Sequence, residues 1–107
     1  GTVDATSFSL VAGACTQAAN GTLNGTATDL CTQTTVVVTS GAKTIYSGTA
    51  AAMNAASINM LTQLGVASVP AGTSIPITFS VKAGTTALGN TYQGLKIAQS
   101  MTWAFGA

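Results

Sequence analysis

The chain contains no histidine, no arginine and no glutamate, and its whole charged inventory is Asp4, Asp29, Lys43, Lys82 and Lys96. Without histidine or a carboxylate cluster, the common zinc sites and most general acid–base chemistry are excluded. Three scattered lysines make no basic patch, so phosphate binding by counterion release is not available and no nucleic-acid partner is expected. Charged residues are 5% of the chain, where an ordinary soluble domain has roughly 25%. The formal net charge of +1 leaves little repulsion between copies, and near-neutral protein surfaces tend to associate. No apolar run reaches the ~18 to 20 residues of a membrane-spanning helix. No basic segment followed by an apolar stretch opens the chain, so Gly1 reads as a processed or trimmed end.

What the chain does contain is apolar and small. Its 107 residues suit one domain. An apolar fraction of 47% and a mean hydropathy of +0.47 argue against disorder. Solvent must be met by Thr, Ser, Asn, Gln and Ala. The two cysteines, Cys15 and Cys31, lack the additional ligands of a zinc site and the spacing of a redox pair. A disulfide is their simplest use, with two reduced, buried thiols as the alternative. Closing that loop contributes about 3 kcal/mol in the chain-entropy account, and it implies an oxidising, exported setting.

Along the chain the periodicity is mostly that of strands. Residues Gly1 to Ala12 read as extended, with Val3 and Ala5 in one phase and Phe8, Leu10 and Ala12 in the other. The slip at Thr6-Ser7 predicts a bulge or two short strands serving different sheets. Residues 13 to 33 carry two Asn-Gly turn signals and both cysteines, which suggests a stapled loop or small hairpin. Asn20 and Asn24 also head glycosylation sequons, as expected of an exposed loop in an exported protein. The run TTVVVT at 34–39, a turn at Ser40-Gly41 and a second run at 43–46 predict a hairpin. From Thr49 to Leu64, Met53, Ala56, Met60, Leu61 and Leu64 recur at helical spacing up to Gly65, predicting one amphipathic helix packed on a sheet. Ile75, Ile77, Phe79 and Val81 alternate with polar residues as in a half-buried strand, with Pro76 at its start or on an edge. A polar loop at 84–90 leads to a long last strand, Tyr92 to Phe105, whose Leu95, Ile97, Met101, Trp103 and Phe105 share a face. The expected fold is mainly β: a jelly-roll-like or Greek-key β-sandwich with one short helix.

Three stretches together carry a resemblance. The order is Val69-Pro-Ala-Gly-Thr-Ser-Ile-Pro-Ile-Thr-Phe, then Asn90-Thr-Tyr-Gln-Gly-Leu, then Met101-Thr-Trp-Ala-Phe, with Gly1-Thr-Val-Asp at the start. The chain resembles the TasA/camelysin family at both ends and through the hairpin, while the cysteine loop has no counterpart in that pattern. The resemblance implies a jelly-roll-like fold and assembly into extracellular fibres of biofilm matrix or bundling pili. It also implies that the N-terminal segment of one subunit completes the sheet of the next. In this chain that divides residues 1–12, a donor strand contacting the neighbour through Val3, Ala5, Phe8 and Leu10, from a β-sandwich domain at 13–107. The core or acceptor groove would draw on Val36, Val38, Ile77, Phe79, Ile97, Met101, Trp103 and Phe105. A metallopeptidase activity attributed to camelysins does not carry over, since a chain without histidine has no His-Glu-x-x-His helix.

Strand donation also has a physical case of its own. Exposed sheet edges present unpaired backbone groups that proteins usually blunt with lysine, proline or bulges, and this chain has few lysines. A strand added head to tail binds through its main chain and sets register through its alternate side chains, and such contacts propagate into a helical filament. The partners expected are copies of the chain itself, at the cell surface or beyond, with no cofactor and no metal. The alternative is a monomeric secreted module binding a carbohydrate or a surface through Tyr46, Tyr92 or Trp103, although these aromatics are better suited to packing. An enzyme would need a Ser-Lys pair, or a Lys-Asn crosslink assisted by Asp4 or Asp29. Two carboxylates make a poor calcium cage. The expectation is therefore a structural protein and not an enzyme.

Overall fold

The computed structural model describes residues 3–19, 26–83, 92 and 94–107. The protein is mainly β. In chain order the elements are β1 (Ser7–Ala12), β2 (Thr16–Ala19), α1 (Leu30–Gln33), β3 (Thr34–Ser40), β4 (Lys43–Thr49), β5 (Ser57–Asn59), α2 (Met60–Leu64), β6 (Thr78–Ala83), β7 (Leu95–Ala98) and β8 (Met101–Gly106). They form three antiparallel sheets, ordered β5-β1-β8, β4-β3-β6 and β2-β7.

The TTVVVT run becomes β3, the central strand of its sheet, because β-branched side chains suit a pleated surface buried on one face. Thr34, Val36 and Val38 point inward and are buried, while Thr35, Val37 and Thr39 are half-buried on the other face. Its hairpin with β4 turns at Gly41, whose φ of +58° suits the first central residue of a primed two-residue turn. Open space surrounds the position of a Cβ there, so the backbone angle alone calls for glycine.

β1 is the central strand of the other three-stranded sheet and buries Phe8, Leu10 and Ala12 on one face. These three join Val36, Val38 and Ile45 of the β3 sheet, together with Met53, Met60, Leu61 and Val69, in one hydrophobic core. The two sheets therefore contribute their inner faces to a shared interior. Helix α2 packs on both β1 and β4 and bridges the layers on the β5/β4 side. Asn59 caps its first turn through Oδ1, accepting from the Thr62 N–H at 3.2 Å, and Gly65 ends it in the left-handed region with φ +73°.

The Cys15–Cys31 disulfide ties the β1–β2 connection to α1, with Cα atoms 6.1 Å apart. α1 is in turn fixed to the start of β3, where the Thr34 hydroxyl donates to the Leu30 carbonyl at 2.8 Å. One end of the two layers is thus pinned covalently. Beyond it the β2-β7 ribbon extends the molecule to 50 × 22 × 19 Å. The radius of gyration is 16.5 Å, where a compact domain of this length has about 13 Å.

Several expectations change. The helix expected over 49–64 is confined to Met60–Leu64. Residues 51–55 are turns, the Thr49 hydroxyl accepts from the Ala52 N–H at 3.0 Å, and Ala55 takes φ +56°, which reverses the chain into β5. Met53 is fully buried all the same, so its apolar chemistry was correctly placed in the core but on the wrong element. Among the described residues there are two short helices instead of one, the additional one being α1. The expected strand from Ile75 begins only at Thr78, since Pro76 has no N–H for a ladder. The long last strand is two strands in different sheets, broken at Gln99-Ser100. Gln99 holds that break, its Nε2 donating to the carbonyls of Gly13 and Ala50, each at 3.1 Å. Within residues 13 to 33, β2 pairs with β7, far along the chain, and so is not one arm of a local hairpin.

Candidate assembly groove

Directly opposed residues of an antiparallel pair point to the same face of the sheet. On β6, Val81 lies opposite Val36 and Phe79 opposite Val38; on β8, Trp103 lies opposite Leu10 and Phe105 opposite Phe8. All four partners are buried, so all four residues face inward. Yet Val81 is 60% exposed, Phe79 41%, Trp103 38% and Phe105 63%. The interior is therefore closed on the side bridged by α2 and open on the side where β6 and β8 form the edges.

The opening is an apolar groove of about 460 Å³, lined by Phe8, Ile75, Ile77, Phe79, Trp103 and Phe105 together with Val69 and Thr73. Its floor is aromatic: Phe8 stacks on Phe105 with ring centroids 4.4 Å apart and 9° between planes, and Trp103 lies 5.6 Å from Phe8 and 6.3 Å from Phe79. Among the described residues, no ionisable side chain lines it. Among the described residues, β6 and β8 are each paired along one edge only, β6 with β3 and β8 with β1. Their outer edges offer rows of N–H and C=O groups beside exposed apolar side chains, the arrangement that accepts an added strand. At one end the groove runs into a cleft of about 480 Å³ that shares Val69, Thr73 and Phe105 and is bounded by Val3, Asp4, Ala5 and Pro70.

The residues expected to donate or accept a strand are distributed as follows. Val3 is 66% exposed. Ala5 makes an isolated bridge to Val69, its N–H donating to the Val69 carbonyl at 2.8 Å and its own carbonyl accepting at 2.9 Å. Phe8 and Leu10 are buried in the core of their own chain, Phe8 beneath the groove. The phase slip at Thr6-Ser7 separates these two environments, so the pairing divides the segment at residue 7, where a division after residue 12 was expected. The reason is that β1 has partners on both sides and buries Phe8 and Leu10, the latter completely. Val36 and Val38 are buried; Ile77 is half-buried at the groove; Met101 packs half-buried against the core; Ile97 lies on the ribbon, away from the groove. Val69, Thr73 and Ile75 complete the groove, and alternation along one strand could not show that they meet. Asn20 and Asn24 lie outside the described residues, as do Gly1 and the loop at 84–90.

The polar candidates are engaged structurally. Lys43 Nζ donates to the Leu64 carbonyl at the end of α2, at 2.6 Å. The Tyr46 hydroxyl donates to the Thr49 carbonyl at 2.8 Å, and burial pushes the phenol above its usual range. The Tyr92 hydroxyl donates to Asp29 Oδ1 at 2.6 Å. That bond, followed by one from Gln33, holds the Asp29 carboxyl below its ordinary range, and the same bond holds Tyr92 above its own. Among the described residues no group of three or more metal-ligating side chains comes together, and no helix is long and apolar enough to cross a membrane.

No protein-family model matches the chain, and no curated protein or solved structure matches it.

Proposed function

We propose that this protein is a structural subunit of an extracellular filament, a pilus or a biofilm-matrix fibre, that polymerises by strand complementation between copies. The observation that carries this reading is the groove between β6 and β8, where inward-facing aromatic side chains stand exposed beside two strand edges that are unpaired among the described residues. An extended segment laid there would satisfy the backbone groups of an edge and cover Phe79, Trp103 and Phe105 at once. The scarcity of charge supports the same reading, because five charged side chains do little to keep copies apart.

The donor in this reading is the N-terminal segment of an adjacent copy, taken from the residues ahead of Ser7. That stretch lies outside β1 and is held by few contacts: Val3 is exposed, Asp4 accepts one bond from Ala71, Ala5 is held by one bridge, and the Thr6 N–H donates to the Gly106 carbonyl. β1 stays at home. A contact of this kind joins one end of a subunit to the side of the next, so it does not close and grows as a filament.

The test compares the whole chain with Phe105→Lys by sedimentation and electron microscopy at neutral pH. The whole chain is expected to form filaments, and the variant, which places a charge in the groove, to remain a folded monomer by circular dichroism. Two results overturn the proposal: a whole chain that stays monomeric at high concentration, or a variant that polymerises as well as its parent. The first would favour a monomeric binding module.

A further inference from the structure

The segment Pro70 to Ile77 is a strap that crosses from the β1 sheet to β6 without regular structure of its own. It begins with a tight turn, Pro70-Ala71-Gly72-Thr73, in which the Thr73 N–H donates to the Pro70 carbonyl at 3.1 Å and Gly72 takes φ +78°, as the third position of a type II turn requires. Further along, Thr73, Ile75 and Ile77 form one wall of the groove. The strap is anchored upstream by the Val66 N–H on the Leu61 carbonyl and downstream by the pairing of β6 with β3.

Between those anchors the strap packs on the core through Val69, Ile75 and Ile77, and among the described residues its hydrogen bonds to the rest of the protein come from the chain's own N-terminal segment. Ala5 makes both hydrogen bonds of the bridge to Val69, and Asp4 Oδ1 accepts from the Ala71 N–H at 2.8 Å. The residues proposed above as donor therefore hold the wall of the groove that accepts. We propose that Asp4 and Ala5 act as a latch on their own subunit's groove, and that giving up this segment to a neighbour frees the strap and makes the donor a better acceptor. The latch stands on contacts within one chain; its consequence for growth rests on the filament reading.

The physical reason is the position of the ties. Without them the chain from Ala67 to Ile77 keeps its end anchors and the packing of Val69, Ile75 and Ile77 on the core but loses its hydrogen bonds to the N-terminal segment, so the half-buried Ile75 and Ile77 move away from Phe79 and Phe105 more readily. Coupling of this kind is reciprocal. A strand entering the groove and displacing the strap must in turn loosen Val69 and Ala71 from Asp4 and Ala5. Each addition then prepares the next donor, and growth at an occupied end is favoured over pairing of two latched monomers.

The test begins with dilute monomer and needs no filament. Asp4→Ala removes the acceptor for Ala71, Asp4→Asn keeps one, and a chain beginning at Ser7 removes both ties while leaving β1 whole. Amide hydrogen exchange is read at Thr73, which does not bond Asp4, and groove opening is read by fluorescence of 8-anilinonaphthalene-1-sulfonate. Loss of a charge-assisted bond is expected to speed exchange at Thr73 about fivefold to tenfold in Asp4→Ala and in the shortened chain, with increased dye binding. Asp4→Asn should behave like the parent. Unchanged exchange at Thr73 and unchanged dye binding in both altered chains would overturn the latch, whether or not the protein polymerises. In a second arm, Asp4→Ala monomer should add to preformed fibre ends faster than the parent; equal rates would overturn the coupling. Absence of fibres from every chain would instead sink the filament reading and leave the exchange result to decide the latch.

Discussion

Leu10 separates a strand that belongs to its own subunit from one on loan to a neighbour. Its side chain is fully buried, it sits opposite Trp103 on one side and Ile58 on the other, and it lies in the core shared by both layers. Truncating it to alanine removes the transfer energy of the lost carbons and leaves a cavity in a rigid neighbourhood, at a cost of about 3 to 4 kcal/mol. A domain of this size loses several degrees of melting temperature per kcal/mol, so Leu10→Ala should melt roughly 15 to 20 °C lower as a dilute monomer. Phe105→Ala provides the contrast. Phe105 shares the inner face of the same layer but is 63% exposed, and its main fixed contact is the stack on Phe8. Loss of such a pair costs about 1 kcal/mol. Urea titration followed by circular dichroism measures both. If Leu10→Ala unfolds within about 1 kcal/mol of the parent, a small fraction of what a buried leucine truncation costs, then β1 does not hold the monomer together. The assignment of donor and core residues made above would then be wrong.

Two further outcomes are expected. Replacing both cysteines by serine, or reducing the bond, should lower monomer stability by about 3 kcal/mol, because the bridge at Cys15 and Cys31 constrains the unfolded chain; an unchanged urea midpoint under reductant would contradict this. The Asp29–Tyr92 bond should stabilise only within a pH window. Asp29 is depressed from 3.8, so its contribution is present above the unfolded value and is lost as pH falls through the folded one. Tyr92 is raised from 10.0, so the bond is also lost as pH climbs above that value. Ultraviolet titration of the phenols should show both tyrosines ionising above pH 10, and Asp29→Asn should bring Tyr92 down while leaving Tyr46 where it was.

Where contacts are local or face alternation is strict, the sequence reads plainly. The TTVVVT run and its glycine turn specify β3 and its hairpin, and the alternation Phe8, Leu10, Ala12 specifies which face of β1 is buried. The same alternation placed Phe79, Trp103 and Phe105 on inner faces, but periodicity gives direction and not cover. That the opposite layer stops short of them is a fact of assembly in three dimensions. The helix over 49–64 failed because Met53, Ala56, Met60, Leu61 and Leu64 satisfy helical spacing as numbers, whereas the positive φ of Ala55 sends the chain elsewhere. The last strand failed because Ile97 and Met101 keep the same parity across Gln99-Ser100 while changing sheets. The strap was read as the start of a strand, and nothing in its own residues announces that Asp4 and Ala5 would be its partners.

The register of β1 with β8 sets Ser7 against Gly106 and Ala12 against Met101, so the central strand of one layer cannot find its neighbour until almost all of the intervening sequence has been made. Pairings this distant in sequence slow folding. A chain emerging residue by residue would carry β1 without its mate until Met101 to Gly106 had emerged, and that layer would stay incomplete until then. That order also delays the appearance of the sticky side of the molecule until β8 is in place.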